Sequence, residues 1–136
     1  MNDKPNIILT EIDLERLERL IEKTPTSQFP NKASLEAELE RAEVVEPNKI
    51  PKTVVTMNST VRFLELPDAG EFSLTLVYPK DAGQEGTISI LAPVGVAILG
   101  LSVGDEIEWP TPKGKILKVL IKEILFQPED AGKTHL

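Results

Sequence analysis

Apolar residues recur at three- and four-residue spacing in "TEIDLERLERLIEK", where Ile12, Leu14, Leu17, Leu20 and Ile21 gather on one side and Glu15, Arg16, Glu18, Arg19 and Glu22 face away. That period predicts an amphipathic helix. Thr10 is its expected cap, because a threonine hydroxyl there accepts a bond from the first-turn amides, and Glu11 and Asp13 sit where the helix dipole favours negative charge. The polar stretch "TPTSQFPN" follows, and its Pro25 and Pro30 suit a connection rather than a helix interior. A second periodic run, "KASLEAELERAEVV", places Leu35, Leu39, Ala42 and Val45 inside and Glu36, Glu40, Arg41 and Glu43 outside. At ~1.5 Å per residue, two helices of about 13 residues make an antiparallel hairpin reaching about 20 Å, a stubby arm.

The pattern changes at "EPNKIPK", where Pro47 and Pro51 end the helical run. The expected division is therefore an arm over residues 1–48 and a β-rich unit over 49–136. "TVVTM", "STVRFLEL", "EFSLTLVYP", "GTISILAP", "DEIEW" and "KILKVLIKEILF" are rich in β-branched and aliphatic residues and are separated by Gly, Pro, Asp and Asn, which predicts an antiparallel sheet. Alternation is plainest at Phe72, Leu74, Leu76 and Tyr78 against Ser73 and Thr75, so one face is buried and needs cover. That cover is a short helix opened by Pro93 and closed by Gly100, since proline fits the first helical position and glycine the left-handed residue past the end. Val94, Val96, Ala97, Ile98 and Leu99 run nearly all round it. The expectation is that Ile98 and Leu99 close the core while Val94 and Val96 face outward as part of a docking surface. The fold class is α+β.

Composition narrows the chemistry. With 40% hydrophobic and 27% charged residues and no apolar run of membrane-spanning length, the chain reads as one globular unit without a transmembrane segment. Its first residues show no secretory pattern, so a cytoplasmic location is expected. There is no cysteine, which excludes disulfides, thiolate zinc sites and thiol nucleophiles, and the single histidine, His135, stands one residue from the end. No catalytic residue, metal or cofactor is expected. A net charge of -7 repels polyanions, so the partner is expected to be a protein rather than a specific nucleic-acid sequence or a membrane. Glu36, Glu38, Glu40, Glu43 and Glu46 read as a solvated face, and Lys113, Lys115, Lys118 and Lys122 as protection of an edge strand. Trp109 and Tyr78 read as core or sheet-edge residues.

The run from Ile88 and Ser89 through Pro93, Leu99-Gly100 and Gly104-Asp105 to "TPKG" at Thr111–Gly114 resembles the C-terminal domain of the GreA/GreB transcript-cleavage factors. "VVTMNS", "LVYP" and "LAPVGVAILGL" resemble still more the regulator of nucleoside diphosphate kinase family, a smaller bacterial relative of those factors. The resemblance implies an FKBP-like C-terminal domain, a short coiled-coil arm and docking on RNA polymerase at the rim of its secondary channel. It nominates Ser89, Ala92, Pro93, Val94, Val96 and Ala97 as polymerase-facing. Gre factors commonly carry Ser before the helix-opening proline and a basic residue along the helix, where this chain has Ala92 and Val96, so the contact is expected to be more apolar. Between Glu22 and Glu36 there is no Asp or Glu. Hard cations such as Mg²⁺ need carboxylates or carbonyls in good geometry, and Gre-type cleavage places paired acidic residues at the tip, so transcript cleavage is expected to be absent. Direct binding to nucleoside diphosphate kinase is the alternative. The chain cannot be that kinase, having no histidine in a structured stretch and no phosphate-cradling glycine loop. Prolyl isomerase activity, which the FKBP-like fold brings to mind, would need a site that the scattered aromatics do not provide.

Overall fold

The computed structural model describes residues 7–30, 32–66, 70–110 and 116–132. The Thr111–Gly114 turn, Lys115 and His135 lie outside the described residues, as do the side chains of Pro93 and Trp109. The first helix, α1, spans Glu11–Lys23, and the Thr10 hydroxyl caps it by accepting from the Asp13 amide at 3.0 Å. It stops at Thr24, whose N–H and hydroxyl both donate to the Leu20 carbonyl, at 3.0 and 2.7 Å, just before Pro25.

The second helix, α2, covers Lys32–Arg41 and is shorter than its hydrophobic period suggests. Residues Glu43–Val45 leave the helix and form a strand, β2, that pairs in parallel with β1, Ile8–Thr10. Consecutive Val44 and Val45 suit an extended backbone, and their partner is supplied from the far side of both helices. Because β1 enters α1 and β2 leaves α2 in the same direction, the helical segment closes a circuit beside the rest of the chain. Glu38, expected in solvent, is buried at the helix surface and pairs with Arg41 at 2.7 Å. Glu36, Glu40, Glu43 and Glu46 are exposed.

The main sheet has five strands, β3 (Thr60–Leu66), β4 (Glu71–Val77), β5 (Thr87–Ser89), β6 (Glu106–Pro110) and β7 (Ile116–Phe126), in the order β5-β4-β3-β7-β6. It is antiparallel except at one edge, where β4 and β5 run parallel. Strand β7 lies between β3 and β6, so its lysines do not guard an edge: Lys122 pairs with Glu71, and Lys118 stands opposite Glu108. The Phe63 and Phe72 rings stack across β3 and β4 with centroids 5.2 Å apart.

The expected strand over Thr53–Met57 is instead a folded segment holding a single bridge, Val54 to Ser102. Two local features turn it. Asn58 adopts a positive φ of 66°, and the Ser59 hydroxyl accepts from the Thr56 amide at 3.0 Å, which satisfies the backbone without a ladder. Val54, Val55 and Met57 are all buried, so their apolar character reflects burial on every side rather than the alternation of a strand.

One buried cluster unites the chain. Leu17, Ile21, Phe29, Leu35 and Leu39 from the helical segment share it with Val55, Met57, Val61, Phe63, Leu76, Ile98, Leu99 and Ile121. Backbone bonds cross as well: Ile8 N–H donates to the Gly100 carbonyl at 3.1 Å, and Gly100 N–H donates to Val55 at 2.9 Å.

Candidate docking surface

The third helix, α3, spans Pro93–Ile98 and follows β5 after a tight turn. The turn is held by the Ser89 hydroxyl, which accepts from Leu91 N–H at 3.0 Å, and by the Ser89 carbonyl, which accepts from Ala92 N–H at 3.0 Å. Two glycines let the helix sit this close. A Cβ on Gly95 would collide with the Ser89 carbonyl oxygen, and Gly100 has a φ of 79° and would bring a Cβ within 2.7 Å of Ile7. Both positions therefore demand the smallest residue, one for space and one also for backbone conformation.

The helix is enclosed rather than half-open. It packs on β5, β6 and α2, and Val94 and Val96 are each only 6% exposed, with Ile98 at 0% and Leu99 at 1%. This corrects the expectation that Val94 and Val96 face outward: α2 and the sheet cover the helix from different sides, so an all-round apolar helix is all-round buried. Among the described side chains of the helix Ala97 is the exposed one, and Ser89, Leu91 and Ala92 in the turn before it are half-buried. Of the six nominated residues, then, Ser89, Ala92 and Ala97 reach solvent, Val94 and Val96 shape the packing beneath, and the side chain of Pro93 falls outside the described set.

A buried polar junction was not legible as such. Asp13, on the first turn of α1, is buried, and its carboxylate accepts from the Met57 amide at 3.1 Å. Burial pushes its carboxyl up to about 7 against the pull of the Met57 amide; the Glu129 charge adds to the rise, and Arg16 opposes it. Glu129 in turn accepts from the Thr56 hydroxyl at 2.7 Å. The Tyr78 hydroxyl is shut off from solvent without a well-formed hydrogen bond, and burial, reinforced by Asp13, pushes it above its ordinary value. In sequence Asp13 looked like a helix-dipole residue; an acid at the third position of a capped helix that does not close back on its cap is a signal that the carboxylate is used elsewhere. Among the described residues no group of three or more His, Asp or Glu is placed to hold a metal ion, and no helix is long and apolar enough to cross a membrane.

These features can be set beside known proteins. Residues 50–126 match the family "Transcription elongation factor, GreA/GreB, C-term", and residues 5–45 match "Rnk N-terminus". A solved structure titled as a prokaryotic transcription elongation factor GreA/GreB from Nitrosomonas europaea superposes with a TM-score of 0.79 at 58% identity, covering 90% of this chain and all of that one, 100%. The curved sheet with its enclosed helix is thus the GreA/GreB-like fold. The Regulator of nucleoside diphosphate kinase of Escherichia coli (strain K12) is 42% identical over 130 residues, 95% of this chain and 96% of that protein. Transcription elongation factor GreA of Helicobacter hepaticus is 35% identical over 94 residues, which span 65% of this chain and 58% of that protein. The chain belongs to the regulator of nucleoside diphosphate kinase family, relatives of the GreA/GreB factors.

Proposed function

We propose that the chain is a non-enzymatic transcription regulator that docks on RNA polymerase near its secondary channel and competes with Gre factors there without stimulating transcript cleavage. In this reading residues 49–136 form the polymerase-holding, FKBP-like part and residues 1–48 the arm. One observation carries the absence of cleavage. The connection between α1 and α2 has no carboxylate from Lys23 to Leu35, and Phe29 within it is buried in the core. It offers no carboxylate to a metal, and Phe29 ties it to the core. Docking rests on the GreA/GreB C-terminal match over residues 50–126, with the surface around Ser89, Ala92 and Ala97 as the contact and Val94 and Val96 as its support.

A pull-down of core RNA polymerase, repeated with a Gre factor as competitor, tests the reading. Retention that the Gre factor displaces, with no transcript shortening in a backtracked complex, is expected. Metal-dependent shortening above the polymerase's own background contradicts it. The name of the Escherichia coli relative supports a second reading, direct binding to nucleoside diphosphate kinase, which predicts that the kinase and not polymerase is retained.

A further inference from the structure

We propose that a cleft between α1 and the turn after β4 binds a small phosphorylated ligand of about mononucleotide size. The cleft has a volume of about 730 Å³, within the usual range of small-molecule sites. Arg16, Arg19, Leu20 and Lys23 form its first wall, at the spacing that puts them along one edge of α1. Asn58 and the segment Tyr78–Asp81 form the other.

The charge of this lining runs against that of the chain. Four cations and one carboxylate face a single cleft in a protein whose net charge is -7. Lys23 and Lys80 are exposed and form no ion pair among the described residues. Among the described residues Arg19 is paired with exposed Glu15, at 2.6 Å, a surface bond weak enough to be exchanged for a better anion. Arg16 is half-buried and lies where its charge acts on both Asp13 and Tyr78, so its guanidinium is held at the cleft instead of sweeping through solvent. The Arg19 fork and two ammonium groups suit phosphate oxygens, the fork by bidentate bonds and the lysines as point charges, while Arg16 adds its charge to the cleft.

The remaining lining argues for more than a bare anion. Leu20, Tyr78 and Pro79 give an apolar floor against which a planar or hydrocarbon group can lie, and the Asp81 carboxylate can accept from a hydroxyl. Cations for phosphate, a carboxylate that can accept from a hydroxyl and apolar side chains for a flat group together describe a nucleotide-like molecule. None of these residues belongs to the surface around α3, so the inference stands apart from polymerase docking.

Calorimetric titration of the full chain at low salt with ADP, inorganic pyrophosphate and adenosine tests it. ADP is expected to bind most tightly, pyrophosphate more weakly and adenosine not measurably, with affinity falling as salt rises. The double variant Lys23→Gln, Lys80→Gln changes two exposed side chains, keeps the melting temperature, and is expected to lose about ten-fold or more in ADP affinity. Amide resonances of Asn58 and Lys80 should shift on ADP addition in the parent protein. The proposal is overturned by no ADP binding at millimolar concentration, by equal binding of adenosine, or by unchanged affinity in the double variant. Single-stranded oligonucleotides binding in proportion to their length, with ADP inert, would also overturn it, since that is a backbone-tracking surface and not a ligand cleft.

Discussion

Helices α1 and α3 are opposite solutions to placing a helix against the same buried core. Helix α1 has a polar outer side and buries only Asp13, Leu17 and Ile21, which leaves an edge of Arg16, Arg19 and Lys23 facing a cleft. Helix α3 is six residues long and apolar throughout, and neighbours on more than one side remove almost all of it from water. The difference shows where interaction chemistry can reside. An amphipathic helix keeps side chains free for a ligand, whereas an enclosed helix can contribute only through the few positions that emerge, here Ala97 and the turn before it.

The largest effect that would break this comparison is removal of residues 1–48. If α1 and α2 were an independent arm, residues 49–136 would melt as before. The shared cluster through Leu17, Ile21, Phe29, Leu35 and Leu39 predicts instead that the fragment loses its cooperative transition or melts far below the full chain, since several core side chains each contribute roughly 1.5–3 kcal/mol of burial. Retention of the parent melting temperature in scanning calorimetry would restore the independent arm.

Next in size is Val96→Glu. An unpaired carboxylate would be forced into a site 6% exposed, at a cost expected to exceed about 3 kcal/mol, read as a fall in the urea midpoint. Gly95→Ala is expected to follow, at roughly 1–3 kcal/mol or more, because backbone has to move away from the Ser89 carbonyl oxygen. A Gly95→Ala protein with an unaltered midpoint would mean that α3 floats above β5 in solution.

These cases also mark what could be read from the residues beforehand. The Thr10 cap, the extent of α1, the bounds of α3 near Pro93 and Gly100, and strands β3, β4 and β7 all follow from local chemistry: a hydroxyl at a helix start, a glycine at positive φ, an alternating run. What escaped depended on neighbours. Strands β1 and β2 are three residues each and become strands only by pairing with one another across both helices. The outward reading of Val94 and Val96 failed because a two-turn helix carries too little periodicity to reveal a second covering element. The burial of Asp13 required Met57 and Glu129, distant in sequence, and the cationic cleft needed the Tyr78–Asp81 turn to come up against α1.

Asp13 sharpens the comparison from the side of α1. Its carboxyl titrates near 7 in the folded protein against an ordinary value of 3.8, so the folded state holds a proton that the unfolded state releases. Stability from this group is fully present below about pH 4, declines as pH rises toward 7 and is flat above it, a span on the order of 4 kcal/mol. Asp13→Asn keeps an acceptor for the Met57 amide and removes the titration. The variant's profile should therefore lack the decline from pH 4 to 7 that Asp13 gives the parent. Parallel profiles for the two proteins would show that the Asp13 carboxylate is solvated.

The smallest expected effect on stability comes from Ala97→Glu, the counterpart of Val96→Glu one residue along. Ala97 is exposed, so the new carboxylate stays in water and the urea midpoint should shift by no more than about 0.5 kcal/mol equivalent. Its effect on binding is the point. If α3 meets polymerase through the positions that emerge from the core, a charge at Ala97 should reduce retention in the pull-down several-fold by desolvation at the contact, while the fold remains intact. The pair then separates two roles within one turn of helix: Val96 answers in stability and Ala97 in binding. Should Ala97→Glu bind polymerase as the parent does, α3 is purely a core element, and the contact has to be sought elsewhere, for instance where Val103 in the turn before β6 and Leu125 on β7 stand open to solvent.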